Sequence, residues 1–478
     1  MTRALQGDTA LGDTLAARGR EVRTRREVVG RLARAQRGAH SAARAMRTLL
    51  LLSRHFPPRF DVGGKRAYRF ARHLPRFGWR PVVLTAPIPN GPVDPTAGLP
   101  LPPEAIVVRR YHPRPWPRGG PRDSDGTIAE PTRARRDADR GALPWLRARL
   151  ATPLDADLLL VPYIAGVVRT LHARWRFDAV FATSSPYSTL LLGAVARAVT
   201  GAPLCLDLRD PWSLNFLQRR RPAWVRRVEA ALERVLLHSA DRVTFTSEAT
   251  AAAYREALGL PAERVRCIYN AFDPEQRPAR ARPDPHEPVC LVHFGNCYGE
   301  RTLEPVLRAL ARIVQRRRLG PADVRLLNLG RVSAADLELA RRLGIGALFE
   351  WRPVVPYEEG LVLLARADLA ILLSYGRETL FVPAKFFDYL LAGTPMLCVA
   401  EPSELTTLVE RTRTGRYASP DDVETIERLV EEAIDRHRSG RDPPPRDEAA
   451  VAEYEAPRAA ARLAALLDEM VRDRLTTG

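Results

Sequence analysis

The residues best placed for chemistry are Lys385 and Asp388, within the segment ETLFVPAKFFDYLLAGTP at 378–395. The apolar run before this segment, ADLAILLS, has the length of a buried parallel strand, and Pro383 is suited to begin a helix that Gly393 ends. Lys385 and Asp388 have helical i,i+3 spacing, so both project from nearly the same face. A helix N-terminus beyond a parallel strand binds phosphate, a lysine adds positive charge, and an aspartate can accept hydrogen bonds from ribose hydroxyls. The segment predicts a nucleotide site, and an ordinary surface salt bridge is the alternative.

A second charged cluster, DLRDPW at 207–212, ends a predicted strand. Open parallel sheets place ligand chemistry at the carboxyl ends of their strands, and charged side chains buried there are costly unless they are paired or functional. Arg209 and Asp210 are therefore candidates for contacting a substrate. The alternative is that Arg209 and Asp210 pair with each other and fix the turn.

Two adjacent glycines, Gly63 and Gly64, follow the first convincing strand, RTLLLLS at 47–53, and precede a helix predicted to start at Lys65. Glycine allows the backbone to come close to a ligand. The segment has neither the spacing of a P-loop nor the GxGxxG pattern, and a glycine pair is most often a simple turn. Its role therefore depends on what the fold places beside it.

Length and composition predict two domains in a reducing compartment. The chain has 478 residues, 45% of them hydrophobic, which is enough for two cores. Its five cysteines form no CxxC pair, which is typical of buried thiols. No apolar run reaches the ~18–20 residues of a membrane span, and the Arg-rich opening residues lack the apolar stretch of a secretory signal. We expect a cytoplasmic protein that can bind the inner face of the membrane peripherally.

The net charge of +18 comes almost entirely from arginine and favours anionic partners. Residues 1–47 carry eleven arginines against four acids, a net charge of +7, and are expected to be disordered or a surface helix. This extension and the Pro/Arg-rich excursion at 110–149 suit docking on anionic lipid. Nucleic acid is not an expected partner, because no basic region is interleaved with aromatic residues and no nucleic-acid-binding motif occurs.

Alternating predicted strands and helices divide the chain into two α/β halves. A segment without periodicity, rich in proline and charge, separates them, and a proline-rich loop at 442–445 lets the last helix cross back to the first half. The predicted divisions are a basic extension at 1–47, an N-terminal Rossmann-like domain at 48–272 containing the excursion 110–149, a linker at 273–288, a C-terminal Rossmann-like domain at 289–440 and a C-terminal helix at 446–478.

The motifs also occur in a characteristic order. They are Gly63-Gly64, DLRDPW at 207–212, Ser247 after its strand, YNAFD at 269–273, Phe294-Gly295, and the pattern Pro383, Lys385, Asp388, Gly393 and Pro395. In this order the chain resembles the GT-B glycosyltransferases over residues 48–475, specifically the family 4-like enzymes of bacterial polysaccharide assembly. The resemblance implies an α/β fold of two Rossmann-like domains facing an interdomain cleft, with the acceptor on the N-terminal domain and the nucleotide sugar on the C-terminal domain.

What the resemblance implies for function is transfer of a sugar from a nucleotide-diphosphate-sugar donor to a saccharide or lipid-linked acceptor in cell-surface polysaccharide synthesis. It implies retention of configuration and no metal or other cofactor. The implied catalytic residues are Arg301 and Lys385, which neutralise the donor pyrophosphate, and Asp210. The implied donor-binding residues are Gly295, Asn296, Glu378, Pro383, Lys385 and Asp388, and the implied phosphate and acceptor loop residues are Gly63, Gly64, Arg209 and Asn270.

Two positions depart from the family's pattern and keep other functions open. The family often pairs two glutamates with seven residues between them, but the position that pairs with Asp388 is Leu380, and Glu378 is the nearest acid. Asn296 stands where many members have arginine. A non-catalytic sugar-nucleotide-binding or assembly protein on the same fold is therefore the alternative. An epimerase releasing free sugar is less favoured, because no His–carboxylate pair lies beside the donor motif. An Asp-x-Asp metal pattern at 123–125 follows no apolar strand and is a weak candidate.

Overall fold

The computed structural model describes residues 46–58, 62–87, 99–112, 156–215, 221–279, 284–297, 301–352, 355–374 and 380–477. Most of the predicted extension 1–47 and of the excursion 110–149 lies outside these residues, as does the predicted donor residue Glu378. The described residues form two sheets, each covered by helices.

The first sheet has seven strands in the described residues, in the order β3-β2-β1-β4-β5-β6-β7. The strands are β1 (Arg47–Leu52), β2 (Trp79–Leu84), β3 (Ile106–Val108), β4 (Ala179–Thr183), β5 (Leu204–Leu208), β6 (Arg242–Phe245) and β7 (Val265–Cys267). The covering helices are α1 (Val62–His73), α2 (Val161–Trp175), α3 (Ser188–Thr200), α4 (Ala223–Ser239) and α5 (Glu248–Leu258). Leu50 and Leu52 enter the core on one face and Leu49 and Leu51 the core on the other, so β1 is apolar throughout because both of its faces are buried.

The second sheet has six parallel strands in the described residues, in the order β10-β9-β8-β11-β12-β13. They are β8 (Val289–Phe294), β9 (Val324–Leu329), β10 (Phe349–Arg352), β11 (Leu369–Ser374), β12 (Met396–Ala400) and β13 (Gly415–Ala418). Its helices are α6 (Glu304–Arg317), α7 (Ala334–Arg342), α8 (Tyr357–Ala365), α9 (Ala384–Ala392), α10 (Glu404–Thr412) and α11 (Val423–Arg438). The strand order reverses between β8 and β11, and doubly wound sheets bind ligands outside the carboxyl ends of the strands at such a reversal.

The end of the chain lies against the first sheet. After α12 (Glu448–Ala452), Phe272 exchanges two backbone hydrogen bonds, accepting from Ala456 N–H at 2.7 Å and donating to the Tyr454 carbonyl at 3.0 Å. Helix α13 (Ala456–Thr477) then packs on α1 and β1, and the Trp79 indole donates to Asp468 at 2.9 Å. The sequence predicts one helix from Glu448, whereas the contacts with Phe272 divide it into two.

Four elements differ from expectation, and one of them, α1, bears directly on the site. Helix α1 begins at Val62, so Gly63 and Gly64 lie in its first turn rather than in a loop before it. Helix α4 was not predicted, because apolar residues on its outer face blur the one-sided periodicity of a surface helix. Helix α10 and strand β13 were also not predicted. No helix among the described residues is both long and apolar enough to cross a bilayer.

Candidate functional site

Lys385 lies at the strand-order reversal of the second sheet, where the N-terminus of α9 meets the end of β8. Pro383 is the N-cap residue of α9, so the helix begins at Ala384. The Lys385 side chain runs directly over Gly295, and a Cβ atom at position 295 would lie 2.6 Å from Lys385 Cε and 3.1 Å from Cδ. Because glycine has no Cβ, it leaves room for the lysine. The ammonium group and the N–H groups of the first turn of α9 together make this end of the helix positive.

The loop after β8 is held by the loop after β9. Gly330 has φ of +136°, which L side chains rarely adopt, and a Cβ there would lie 2.6 Å from the carbonyl carbon of Gly295. The Asn296 side-chain oxygen accepts a hydrogen bond from Arg331 N–H at 2.9 Å. The two predicted donor-binding residues Gly295 and Asn296 are thereby held in place by the loop after β9.

The pKa of His293, a buried residue of β8, is affected by the positive charge of this region. Its Nδ1 lies 2.6 Å from the side-chain oxygen of Asn328, whose amide nitrogen donates to the Gly330 carbonyl at 2.7 Å. Burial and, after it, the positive charges of Lys385 and Arg301 lower the pKa of His293 to about 3, against the opposing effect of the hydrogen bond with Asn328. His293 is therefore neutral at physiological pH. Arg301 is buried as well, so two cations act on the same small volume at the end of β8.

Asp388 faces a different partner from Lys385. Both of its carboxylate oxygens lie 3.4 Å from the Nζ of Lys65, on α1 of the first domain, and Tyr357 donates its hydroxyl to Oδ1 at 2.6 Å. The ammonium of Lys65 also lies 3.5 Å from the ring centroid of Tyr357. Burial lowers the pKa of Lys65 to about 8, against the opposing effect of Asp388. We call these three residues the interdomain clasp, since they join the two sheet domains through a buried ion pair.

The chain contains only two lysines, Lys65 and Lys385, among 74 basic residues. Both lie in this site, although all the other residues in this count are arginines. A lysine ammonium is compact and its pKa responds to burial, whereas a guanidinium stays charged and presents a wide planar fork. Sequence reasoning missed Lys65 because it was tested only against the P-loop pattern. The rarity of lysine in this chain is the signal that could have identified Lys65.

Behind the clasp, Asp273, the first residue of the predicted linker 273–288, contacts α1. It is fully buried, accepts a hydrogen bond from Arg69 Nε at 2.9 Å, and its other oxygen lies 2.9 Å from Nε2 of His73. Burial alone raises the pKa of Asp273, but the contacts with His73 and Arg69 outweigh it and lower the pKa. This network holds the face of α1 that presents Lys65.

The same region contains a cluster with the spacing of metal ligands. His73, Asp273 and the exposed Glu275 have ligand atoms within 4.8 Å of one another, in the part of the chain that the structure describes. Arg69 already donates to Asp273, and Arg72 lies 3.5 Å from the carboxylate of Glu275. Both carboxylates therefore already have guanidinium partners, whose positive charges would oppose a metal cation.

The DLRDPW cluster divides into structural and exposed residues. Asp207 is buried and receives two hydrogen bonds from Arg66, at 2.8 and 2.9 Å, and one from each of the hydroxyls of Thr183 and Thr244. Arg66 also donates to the carbonyl of Tyr269 at 3.0 Å. A carboxylate with four such donors is saturated, so Asp207 anchors α1 to the sheet.

Arg209 has backbone partners. Its guanidinium donates to the carbonyls of Ser184, of Ser185 at 3.1 Å, and of Gly63 at 2.5 Å. The sequence offered two readings, contact with the acceptor or pairing with Asp210. In the structure, these hydrogen bonds of Arg209 instead join the first turn of α1 to the loop after β4. The predicted residues Gly63 and Arg209 are thus in contact, with Asp210 as the next residue in the chain.

Asp210 is exposed, yet desolvation by the surrounding protein atoms raises the pKa of its carboxyl, against the opposing charge of Arg209. The residues that follow are rigidly held. Trp212 stacks on Tyr187 with ring centroids 4.9 Å apart, and its backbone N–H donates to the Tyr254 hydroxyl at 2.6 Å. A carboxylate on a fixed loop, with a raised pKa and access to solvent, is suited to accept a proton from a substrate hydroxyl.

Further contacts join the two domains beside these groups. Ser247, the N-cap of α5, donates its hydroxyl to the carbonyl of Leu380 at 2.7 Å. Glu404, the first residue of α10, accepts the backbone N–H groups of Glu248 and Ala249, at 3.0 and 2.7 Å. A carboxylate at a helix N-terminus is favourable, because it satisfies N–H groups and opposes the helix dipole.

The structure therefore divides the predicted residues into two groups. Gly295, Arg301 and Lys385 lie together at the end of β8, and Gly63, Arg209 and Asp210 lie on the first domain. Asp388 connects the domains through its ion pair with Lys65. Asn270 is half-buried and makes none of the contacts described above.

Comparison with known proteins gives a match to one family model. Residues 63–271 match the model described as a glycosyl transferase 4-like domain. Among curated proteins, none matches the sequence significantly.

Several solved structures match over most of the chain. Sucrose-phosphate synthase from Thermosynechococcus elongatus is 14% identical with a TM-score of 0.58, and the match covers 89% of this chain and 100% of that one. HepE from Anabaena in complex with UDP is 17% identical with a TM-score of 0.51, over 89% and 100%. An α,α-trehalose 6-phosphate synthase from Burkholderia multivorans is 12% identical with a TM-score of 0.55, over 90% and 98%.

Proposed function

The chain has the GT-B glycosyltransferase fold, with a match to the glycosyl transferase 4-like domain at residues 63–271, and on this premise we propose that it transfers a sugar from a nucleotide-diphosphate-sugar donor to a saccharide or lipid-linked acceptor. The resemblance predicted from the sequence is confirmed. The observation that carries the proposal is the positive site at the end of β8, where Lys385 crosses Gly295 beside Arg301. The Anabaena neighbour was solved with UDP, which supports a nucleoside diphosphate as the ligand class.

In the proposed reaction, the bond between the sugar C1 and the donor diphosphate breaks and the acceptor hydroxyl forms the new glycosidic bond. Negative charge develops on the departing diphosphate. Lys385, Arg301 and the N-terminus of α9 stabilise it, in a region where burial strengthens electrostatic interactions. Asp388 and Tyr357 supply oxygen atoms that can contact the ribose. Lys65 is a third cation beside the donor.

The acceptor is assigned to the first domain. Asp210 is the proposed group that receives the proton of the acceptor hydroxyl, since its raised pKa makes it a stronger base than an ordinary carboxylate. Arg209 positions this loop through its backbone contacts and is not assigned a direct contact with substrate. Retention of configuration, independence of metal ions and a role in cell-surface polysaccharide synthesis at the cytoplasmic face of the membrane are part of the proposal. The anomeric configuration of the product and activity in EDTA test the first two.

A second candidate is a non-catalytic sugar-nucleotide-binding or assembly protein on the same fold. It is favoured by Leu380, which stands where the family often has an acid and which has its carbonyl bound by Ser247. This protein would bind a nucleotide sugar at Lys385 without turnover. Release of nucleoside diphosphate from labelled donor in the presence of acceptor distinguishes the two candidates.

The proposal is tested by thermal stabilisation with UDP, GDP, ADP, TDP and CMP. A ligand that binds only the folded state raises the unfolding temperature. We expect one nucleoside diphosphate to stabilise the wild-type protein and to lose most of that effect in Lys385→Ala. Arg308→Ala is the matched control, because Arg308 is an exposed cation paired with Glu304 on α6. No stabilisation by any nucleotide, or equal stabilisation of Lys385→Ala, would contradict the proposed donor site.

A further inference from the structure

Helix α4 exposes apolar side chains along one stripe of its outer face. Trp224, Val228 and Val235 are 46%, 44% and 64% exposed, and Ala231, also exposed, lies between the two valines. Their spacing of four, three and four residues places all four on one side of the helix. The stripe is ~16 Å long at 1.5 Å per residue. Large exposed apolar residues that line up in this way mark an interaction surface more often than isolated ones do.

The exposed charges on the same helix are all positive. Its two acids, Glu229 and Glu233, are buried, and Glu229 pairs with Arg221 beneath the helix. Arg227 and Arg234 are exposed beside the apolar stripe, whereas Arg226, two residues from both Trp224 and Val228, lies on another side of the helix. The outer face therefore combines protruding apolar groups with exposed positive charge, and it complements a surface that is both apolar and anionic.

The buried side of α4 holds the loop that contains Asp210. Glu233 accepts the Ser213 backbone N–H at 3.1 Å and the Tyr254 hydroxyl at 2.6 Å, and the Tyr254 oxygen in turn accepts Trp212 N–H. Asp210 lies three residues before Ser213 in the same loop. The loop that carries the proposed acceptor carboxylate is thus hydrogen-bonded to the buried side of α4, opposite the outer face.

We propose that the outer face of α4 docks on an anionic lipid bilayer, with Trp224 and the two valines entering the interfacial region and Arg227 and Arg234 contacting lipid phosphates. A convex amphipathic helix face with a tryptophan and flanking arginines has the composition of helices that lie in the plane of a membrane interface. The docking brings a lipid-linked acceptor to the Asp210 side of the cleft. This role rests on the proposed function, whereas the binding itself does not.

The test is flotation of the full-length protein with phosphatidylcholine vesicles that do or do not contain phosphatidylglycerol. We expect flotation with the anionic vesicles at low salt. Trp224→Ser should weaken partitioning roughly tenfold, since it removes one large interfacial side chain. Arg227→Gln with Arg234→Gln should weaken it roughly 30-fold, as two basic contacts with an anionic surface are lost.

The controls are matched pairs on the second domain. Trp351→Ser removes an exposed tryptophan of β10, and Arg341→Gln with Arg342→Gln removes two adjacent exposed arginines of α7. Both controls should float as the wild type does. The proposal is overturned if the wild type does not float, if the α4 variants float unchanged, or if the control variants lose as much binding as the α4 variants. Binding that persists unchanged in the α4 variants would point to the rest of the chain, or to a protein partner for α4. Because flotation needs no donor or turnover, its outcome is independent of the nucleotide assay.

Discussion

The interdomain clasp predicts a strong energetic coupling between Lys65 and Asp388. The perturbations are Lys65→Met, which keeps the length of the side chain, Asp388→Asn, which keeps its shape, and the double variant. In Asp388→Asn the buried ammonium of Lys65 loses its carboxylate while Arg69 still acts on it. In Lys65→Met, the Asp388 carboxylate keeps the hydrogen bond from Tyr357 at 2.6 Å. Asp388→Asn should therefore be the more destabilising single change.

The magnitude follows from distance and burial. Two unit charges 3.4 Å apart attract by about 5 kcal/mol at an effective dielectric constant near 20, before desolvation is counted. Side chains only 10% and 12% exposed have lost most of their hydration, which offsets a large part of this attraction. We therefore expect a coupling of about 2–3 kcal/mol in the free energy of unfolding. Asp388→Asn alone should cost about 3 kcal/mol, and the double variant should be no less stable than Asp388→Asn.

The measurement is urea unfolding of the four proteins at pH 7, followed by a double-mutant cycle. A repeat at pH 10 provides an internal control, because Lys65 is then mostly neutral and the coupling should largely disappear. Additive free energies at pH 7, within about 0.5 kcal/mol, would refute the buried ion pair. A coupling that is equally large at pH 10 would show that it is not carried by the charge of Lys65.

Two further predictions concern the same lysines. Lys65 releases its proton near pH 8 in the folded state and near pH 10.5 in the unfolded chain, so between these values the unfolded chain binds more protons. The free energy of unfolding of the wild type, relative to that of Lys65→Met, should therefore rise by about 1.4 kcal/mol per pH unit in this range, as measured by urea unfolding. A flat difference would place the pKa of Lys65 at its ordinary value. Gly295→Ala should displace the flexible end of Lys385 and weaken nucleotide binding about tenfold while changing stability by less than about 1 kcal/mol. Gly166→Ala, where a Cβ meets nothing within 4 Å, is the control for titration calorimetry, and equal affinities in the two variants would contradict the contact.

Local pattern was sufficient for the elements that build the site. The apolar run before Ser374 and the Pro383 and Gly393 punctuation predicted β11 and α9 nearly to the residue, because such runs and helix ends are set by neighbours in sequence. Gly295 was predicted at the end of β8 for the same reason. The carboxyl ends of parallel strands share one edge of a sheet, so chain order alone placed these residues near one another.

Local sequence pattern could not predict which charged residues pair with each other. The i,i+3 spacing of Lys385 and Asp388 predicted a joint site, yet Asp388 pairs with a lysine 323 residues away, on the other domain. Arg209 was predicted from its charge, while its three carbonyl partners depend on how the loop after β4 approaches α1. Long-range contacts of this kind follow from how the two domains pack, which no local period encodes.

The alternation of strands and helices, the helix start that carries Lys385, the strand end that precedes Asp210, and the basic character of the surface were all present in the order and type of the residues. The fold added the pairing of Lys65 with Asp388, the saturation of Asp207 by Arg66, and the exposure of Trp224 on α4. The difference has one physical origin. Secondary structure responds to the few residues within one or two turns, whereas burial, charge pairing and the pKa of Lys65 depend on groups brought together by the folding of the whole chain.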